Sequence, residues 1–234
     1  MSLAFVVKGV VVVWKQSERS SSNALRFVKK AINYGFKANL GPITQFLNYK
    51  ADIFILNLFT NVAITGTYVV AVNLTEKVFL ISAAVSTILF PRLSQLSSDE
   101  TSRKELTPFV SRWVFVLSTI ATLALALIAY PVIKYLFGVE YLSCLSSIFI
   151  LIPGIIILST AKIWANDIAA RGMPEINMYI SIVTLIINVI GNIILIPELG
   201  MNGAALATTF TYFVCSGLTL KYYATLSKNT YSSV

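Results

Sequence analysis

The sequence predicts an all-α protein, a polytopic transmembrane helical bundle. Of its 234 residues, 56% are hydrophobic and 12% are charged, whereas soluble domains carry about 25% charged residues. The mean hydropathy is +0.78, and the apolar residues gather in runs long enough to cross a bilayer. These observations place the chain in the membrane class before any motif is considered.

Six apolar segments match the roughly 20 residues that a membrane-spanning helix requires. Pro131 and Pro153 fall inside the third and fourth segments, where we expect them to bend the helices. The predicted spans lie at roughly 39–58, 66–90, 113–137, 146–168, 176–197 and 203–223.

The predicted spans divide the chain into four parts. Residues 1–14 are apolar but short for a span, and we interpret them as the end of a truncated helix. Residues 15–38 form a basic linker, residues 39–225 hold the six-helix bundle, and residues 226–234 form a cytoplasmic tail.

The linker has the pattern of an amphipathic helix on the membrane surface. Leu25, Val28 and Ile32 share one face of a helix over 24–34, and the basic side chains turn away from it. A solvated linker is the alternative. The basic side chains that we expect at the lipid headgroups are Arg26, Lys29 and Lys30.

The connections between spans alternate in their basic residues. Counted from residue 15 to the C-terminus, they carry six, none, four, one, two, none and two Lys or Arg residues, when Lys134, Lys162 and Lys221 near the span ends are counted with the adjoining connections. Basic connections stay on the cytoplasmic side of a membrane. We therefore predict that both ends of the bundle are cytoplasmic and that the protein resides in the cytoplasmic (inner) cell membrane.

Composition also excludes several kinds of chemistry. The chain has no histidine, which removes His bases, His metal ligands and Ser-His or Cys-His nucleophiles. Cys144 and Cys215 lack metal-site spacing. The net charge of +8 is spread over connections instead of forming one nucleic-acid-binding patch. We expect no cofactor, no metal, no nucleic acid and no enzymatic activity.

Polar residues occur where the first span should be deepest in the bilayer. Gln45, Asn48 and Asp52 fall on one helical stripe, and Lys50 lies about 200° around the helix from Asp52. Charged groups at this depth are rare and by default mark a functional pathway.

The second span carries two more charges at the same depth. Asn73, Glu76 and Lys77 share one helical face. One interpretation is a structural pair of salt bridges, Lys50 with Glu76 and Asp52 with Lys77. The other is a hydrated cavity whose lysines meet an anionic substrate. In both, all four charged side chains face the interior of the bundle.

On the cavity interpretation, the polar residues divide into two groups. The first contacts the substrate, and the second couples transport to an ion or holds the lysines in place. The substrate-contacting group is Lys50, Lys77, Asn48 and Asn73. The group for ion coupling or ion pairing is Asp52 and Glu76.

The last two spans carry helix-packing patterns. The fifth predicted span has a polar stripe suited to helix–helix hydrogen bonds or to substrate contact. The sixth predicted span opens with small residues that permit close approach of a neighbouring helix. The stripe is Ser181, Thr184, Asn188 and Asn192, and the small residues are Gly203, Ala204, Ala205 and Ala207.

Four stretches of the sequence resemble a known family. They are NYKADIFILNLFTNVAITGTYVVAVNLTEKV, AAVSTILFPRLSQL, YLFGVEYLSCLSSIFILIPG and AARGMPEINMYISIVTLIINVIGNIILIPELGMNGAALATT. Together they are similar to the polysaccharide (O-antigen or lipid-linked oligosaccharide) flippases of the multidrug/oligosaccharidyl-lipid/polysaccharide exporter superfamily, over about residues 25–225. The LFPRLS and NVIGNIILIPELGMNGAALATT motifs are the more specific ones.

The resemblance implies one six-helix half, the C-terminal one, of a two-bundle exporter. Such transporters flip polyprenyl-diphosphate-linked oligosaccharide across the membrane by alternating access. Because only the second half matches, a separate N-terminal half is an expected partner. The alternatives are a drug or cation antiporter of the same superfamily, a membrane glycan polymerase or acyltransferase, and a nonfunctional half-length fragment.

Overall fold

The structure is a computed structural model that describes residues 43–44, 46–96 and 99–229. The all-α fold class is confirmed, because the described residues form seven α-helices joined by short turns and contain no β-strand. The predictions for 1–14, for the 15–38 linker and for Gln45 lie outside the described residues.

The first three helices follow one another with minimal connections. Helix α1 covers 46–59, α2 covers Val62–Glu76 and α3 covers Phe79–Gln95. Asn61 caps α2, because its side chain accepts a hydrogen bond from the Ile64 backbone N–H at 2.9 Å. Such a cap satisfies one of the backbone donors that a helix start leaves unpaired.

The second predicted span, 66–90, is not one straight helix. It breaks at Lys77 and Val78, and α2 and α3 meet there at 41°. The Thr75 hydroxyl donates to the carbonyl oxygens of Ala71 at 2.8 Å and Val72 at 3.1 Å. This competes with the helical backbone bonds. The Val78 N–H bonds the Thr75 carbonyl at 3.2 Å, a tighter turn that closes the break.

Helix α4 covers Glu100–Val132 and begins with a side-chain cap. The Asp99 carboxylate accepts from the Ser102 backbone N–H at 3.1 Å and from the Ser102 hydroxyl at 2.6 Å. These hydrogen bonds lower the pKa of Asp99, because they favour the charged form. The cap therefore fixes where the long helix starts.

The end of α4 departs from regular α-helical geometry close to Pro131, where the sequence predicts a bend. A π-helical turn, Ile133–Phe137, follows directly, and proline cannot donate the backbone bond that would continue the ladder. Gly138 then takes φ +107°, a conformation that glycine adopts without strain. A 3₁₀ turn, Val139–Ser143, leads into the next helix.

The last three helices are long and closely spaced. Helix α5 covers Cys144–Ala170 and remains continuous through Pro153, α6 covers Pro174–Leu199 and α7 covers Met201–Asn229. The last helix thus continues into the predicted 226–234 tail.

Five segments of the described chain are long and apolar enough to cross a membrane, if the bent pair is counted as one. Four are single helical stretches, Glu100–Phe137, Val139–Ala170, Pro174–Leu199 and Met201–Lys228. The fifth is the bent pair of α2 and α3. The prediction of a multi-pass membrane protein is confirmed, and the first predicted span falls partly outside the described residues.

Glycine lets α7 approach α5 and α6 closely. A Cβ on Gly154 of α5 would lie 3.1 Å from the Thr209 Cα, and one on Gly203 of α7 would lie 2.2 Å from the Leu195 carbonyl oxygen. Ala204 and Ala205 are fully buried. The small residues at the start of α7 therefore act as the sequence predicts.

Candidate functional site

Asp52 is the most enclosed charged group among the predicted site residues. It is 1% exposed. Its Oδ2 accepts from the Tyr68 hydroxyl at 2.6 Å and from the Thr208 hydroxyl at 3.1 Å, and its Oδ1 accepts from the Ile53 N–H at 2.8 Å. The donors come from α1, α2 and α7, so this carboxylate joins three helices through neutral hydrogen bonds.

Lys50 and Glu76 form one of the two predicted salt bridges. Lys50 Nζ lies 3.3 Å from Glu76 Oε2, and the two side chains are 29% and 21% exposed. The pair links α1 to the end of α2 and leaves the Lys50 ammonium accessible.

The prediction that all four charged side chains face the bundle interior is wrong for Lys77. Lys77 lies in the break after α2 and is exposed, and no salt bridge joins it to Asp52 in the described chain. The break redirects the chain after Glu76, so a helical projection across 66–90 does not apply. Asn73 is also exposed, because α2 buries the face that carries Tyr68 and Val72.

Asn48 instead opens onto a polar cavity inside the bundle. The cavity has a volume of about 320 Å³ and lies among α1, α3, α5, α6 and α7. Its polar lining residues are Asn48, Tyr49, Ser86, Lys162, Asn166, Asn177, Ser181, Thr211, Tyr212, Cys215 and Thr219. We refer to it as the polar cavity.

Three asparagines of the polar cavity direct their amide donors into the protein. Asn48 Nδ2 donates to Thr184 Oγ1 at 2.8 Å, Asn177 Nδ2 donates to the Ala165 carbonyl at 2.8 Å, and Asn166 Nδ2 donates to Ser86 Oγ. The buried Oδ1 atoms of Asn48 and Asn177 have no hydrogen-bond partner among the described residues. Both oxygens are enclosed by the surrounding side chains and are not accessible from the cavity.

Lys162 supplies the cation of the polar cavity, a position that the sequence patterns do not predict. Its Nζ lies 3.5 Å from the centre of the Phe79 ring and 5.4 Å from that of Tyr49. Within the described chain no carboxylate forms a salt bridge with it. In the count of basic residues, Lys162 belongs with Arg171 to the connection after the fourth predicted span. Lys162 lies eight residues before the end of α5 at Ala170, which is about 12 Å along the helix at 1.5 Å per residue. This depth in the sequence could have shown that Lys162 belongs to the helix and not to the connection.

A second polar group, the ion-pair cluster, joins the start of α4 to the end of α5. Asp167 is fully buried and accepts from the Thr107 hydroxyl at 2.6 Å and from Arg171 Nε. Arg103 Nη2 lies 3.6 Å from Asp167 Oδ1, and Arg171 also bonds both Glu100 oxygens, at 2.7 and 3.1 Å. A bidentate arginine of this kind fixes geometry as well as charge.

Both arginines of the ion-pair cluster are largely enclosed. The Arg103 side chain is 3% exposed and the Arg171 side chain is 9% exposed. Burial disfavours the charged guanidinium of Arg171, but hydrogen bonds to Glu100 and Asp167 outweigh it and raise the pKa of Arg171. The cluster thus holds the start of α4 and the end of α5 together.

The structure supplies no metal-binding group in the part of the chain that it describes. No three His, Cys, Asp or Glu side chains of the described residues are close enough to share an ion. Cys144 is buried, and Cys215 lines the polar cavity as a free thiol.

A family described as "Polysaccharide biosynthesis protein" matches residues 2–146, more than half of the chain. The chain belongs to this polysaccharide biosynthesis family. The flippase-type exporter superfamily inferred from the sequence motifs is thereby confirmed.

Two archaeal relatives of this polysaccharide biosynthesis protein align along most of the chain. An uncharacterized membrane protein of Methanocaldococcus jannaschii, MJ1068, is 29% identical over 217 residues, 89% of this chain and 43% of that protein. The probable low-salt glycan biosynthesis flippase Agl15 of Haloferax volcanii is 24% identical over 219 residues, 91% of this chain and 46% of that protein. The chain thus spans somewhat less than half the length of either relative.

The fold is also that of a solved transporter. The chain resembles the Vibrio cholerae MATE transporter VcmN in its bent form, with a TM-score of 0.63 and 16% identity. The match covers 85% of this chain and 47% of that one. At this identity the likeness establishes the fold alone.

Proposed function

We propose that this polysaccharide biosynthesis protein flips a polyprenyl-diphosphate-linked oligosaccharide across the cytoplasmic membrane for cell-surface polysaccharide synthesis. The observation that supports this most is the polar cavity, which places Lys162 and three asparagines inside a membrane bundle. Polar groups at this depth are costly and mark transport pathways. The flippase named in Haloferax volcanii supports the same substrate class.

The proposed mechanism is alternating access by two bundles, of which this chain supplies one. A second half, separate or covalently joined, supplies the other. The accessible ammonium of Lys50 attracts the diphosphate while the polyprenyl tail stays in lipid. Asn48 contributes from the cavity wall. The exposed Lys77 and Asn73 contribute from the bundle surface, which a second bundle would cover. No covalent bond is made or broken.

Asp52 and Glu76 have different proposed roles. Asp52 is enclosed by neutral donors from three helices, so a change in its charge would alter contacts among all three. That arrangement suits coupling of transport to an ion. Glu76 holds Lys50 at 3.3 Å and positions it.

A drug or cation antiporter is the second candidate function. The enclosed Asp52 carboxylate favours it, because a cationic substrate or coupling ion requires an acidic partner. Lys162 disfavours it, because the polar cavity would then repel its own substrate. Transport of a cationic dye, measured beside glycan export, separates the two candidates.

Glycan export in cells tests the proposal. The complete two-half transporter should restore surface glycan to cells that lack their own flippase, and Lys50→Ala should abolish export while the protein still inserts. Glu76→Ala should not rescue Lys50→Ala. Rescue would assign both residues to a structural pair. Export that survives the loss of Lys50, Lys77 and Lys162 together would remove these cations from the mechanism.

A further inference from the structure

We propose that Lys162 is a positioning residue for Lys50, and that it acts by competing with Lys50 for the carboxylate of Glu76. When Glu76 turns toward Lys162, the Lys50 ammonium is released and is free to meet an anion. When Glu76 turns back, it holds Lys50 again. This inference rests on the proposed function for the identity of the anion, which is the substrate diphosphate.

The Glu76 carboxylate has one oxygen that is paired and one that is not. Its Oε2 lies 3.3 Å from Lys50 Nζ, whereas its Oε1 is buried without a hydrogen-bond partner among the described residues. A buried oxygen of a carboxylate that lacks a partner costs free energy. A second cation within reach would remove that cost, so Glu76 is suited to serve two lysines.

Lys162 has the complementary deficiency. Its Nζ lies 3.5 Å from the centre of the Phe79 ring, and none of the salt bridges of the described chain includes it. A lysine ammonium has three N–H donors, and a ring face occupies only one side of it. Within the described chain, the carboxylate whose charge acts most strongly on this ammonium is that of Glu76.

The break between α2 and α3 keeps Glu76 close to the aromatic partner of Lys162. Glu76 is the last residue of α2 and Phe79 is the first residue of α3, and the two helices meet there at 41°. Lysine carries its ammonium on a flexible four-carbon stem. Rotations about the side-chain bonds of Lys162 can therefore move its ammonium from the ring toward the carboxylate.

Two other charged groups of this region are not suited to the exchange. Both oxygens of Asp52 already accept hydrogen bonds from groups of α1, α2 and α7. Lys77 directly follows Glu76 but is exposed, and none of the salt bridges of the described chain includes it. Glu76 is therefore the carboxylate that we assign to both Lys50 and Lys162.

Carbodiimide cross-linking of the unaltered protein tests the competition. Dicyclohexylcarbodiimide enters the bilayer, activates a carboxylate and lets a lysine amine in contact with it form an amide, with release of the urea. The 234-residue chain is treated in lipid nanodiscs, and its peptides are analysed by mass spectrometry. We expect Glu76 joined to Lys50 in some molecules and to Lys162 in others. Absence of the Glu76–Lys162 product would overturn the proposal.

The reactivity of Lys50 measures how free its ammonium is. An amine without a carboxylate partner gives up its proton more readily, so it reacts faster with acetic anhydride. Lys162→Gln leaves Glu76 entirely to Lys50, and it should slow acetylation of Lys50 by about twofold or more, as expected for a partly solvated ion pair. Lys162→Arg keeps the positive charge and should restore the rate. An unchanged rate in Lys162→Gln would overturn the proposal.

A second background separates competition from simple repulsion between the two lysines. Glu76→Gln removes the shared charge, so Lys50 should react faster, and Lys162→Gln should then have no further effect. Equal slowing in both backgrounds would show that Lys162 acts on Lys50 directly, which would overturn the proposal. Lys134→Gln is the matched control, because Lys134 is exposed and lies in the π-helical turn after α4. It should leave the Lys50 rate unchanged.

Cross-linking and labelling involve no transport, so the two proposals fail separately. If Lys50 reactivity depends on Lys162 only while Glu76 is present, in a protein that exports no glycan, the proposed function alone is refuted. If glycan is exported while Lys50 reactivity is insensitive to Lys162→Gln, the competition alone is refuted.

Discussion

At the scale of single residues, buried charge is handled in two different ways. Asp52 is surrounded by neutral donors, whereas Asp167 is neutralised by Arg103 and Arg171. A carboxylate held by hydroxyl groups can be protonated without leaving a buried opposite charge unpaired. One held by buried arginines cannot. This contrast is why we assign coupling to Asp52 and a structural role to Asp167.

Replacing Asp167 should therefore destabilise the bundle strongly. Asp167→Ala leaves Arg103, which is 2% exposed, without its anionic partner, and breaking a buried pair costs about 3–5 kcal/mol. Denaturation with SDS in mixed micelles, followed by circular dichroism, measures the free energy of unfolding. The control Glu105→Gln changes an exposed carboxylate of the same region and should fall within about 0.5 kcal/mol of the parent. Equal effects of the two variants would contradict the structural role.

At the scale of helices, close contact between α6 and the start of α7 depends on Gly203. Gly203→Ala would place a methyl group 2.2 Å from the Leu195 carbonyl oxygen, so the backbone must shift. Overpacking of this kind costs about 1–3 kcal/mol. The same SDS titration should report that loss.

A glycine in the same helix gives the matched control. A Cβ on Gly217 would meet nothing within 4 Å, so Gly217→Ala should leave stability unchanged or raise it by about 0.5–1 kcal/mol through the helix preference of alanine. A destabilisation by Gly217→Ala as large as that by Gly203→Ala would show that the effect does not arise from the α6–α7 contact.

Hydropathy in the sequence was enough to place the helices, but not the break within one of them. The spans over 113–137, 146–168, 176–197 and 203–223 coincide with helices because each is a long apolar run. The break at Lys77 follows directly after Thr75, whose hydroxyl bonds back to the Ala71 and Val72 carbonyls. Threonine makes such bonds in many straight helices, so its presence alone does not predict a bend.

The site was predicted only in part for a related reason. Helical periodicity indicates which residues share a face of one helix, so it placed Asn48 with Asp52 and allowed the Lys50–Glu76 pair. It does not indicate which faces of different helices meet. The polar cavity combines Asn48 of α1 with Lys162 of α5 and Asn177 of α6, and that combination requires the three-dimensional packing.

At the scale of the whole molecule, the alternating basic connections predict its orientation in the membrane. After replacement of Cys144 and Cys215 by alanine, a cysteine in place of Ala63 should react with an impermeant maleimide added to intact cells. Ala63 is exposed near the start of α2. A cysteine in place of Ser22, in the basic linker, should react only after the cells are opened. Labelling of the Ser22 position from outside would contradict the orientation.

Reconstituted flipping of a lipid-linked glycan tests the central claim most directly. The complete two-half transporter is placed in liposomes whose polyprenyl-diphosphate glycan carries a fluorophore on the sugar, and dithionite bleaches the fluorophore on the outer leaflet alone. Protein-free liposomes should lose about half of the fluorescence. The transporter should carry the loss close to completion, and Lys50→Ala should return it to the protein-free level. The result that would contradict the account is that about half of the fluorescence remains protected from dithionite in the presence of the transporter, while the same liposomes transport a cationic dye.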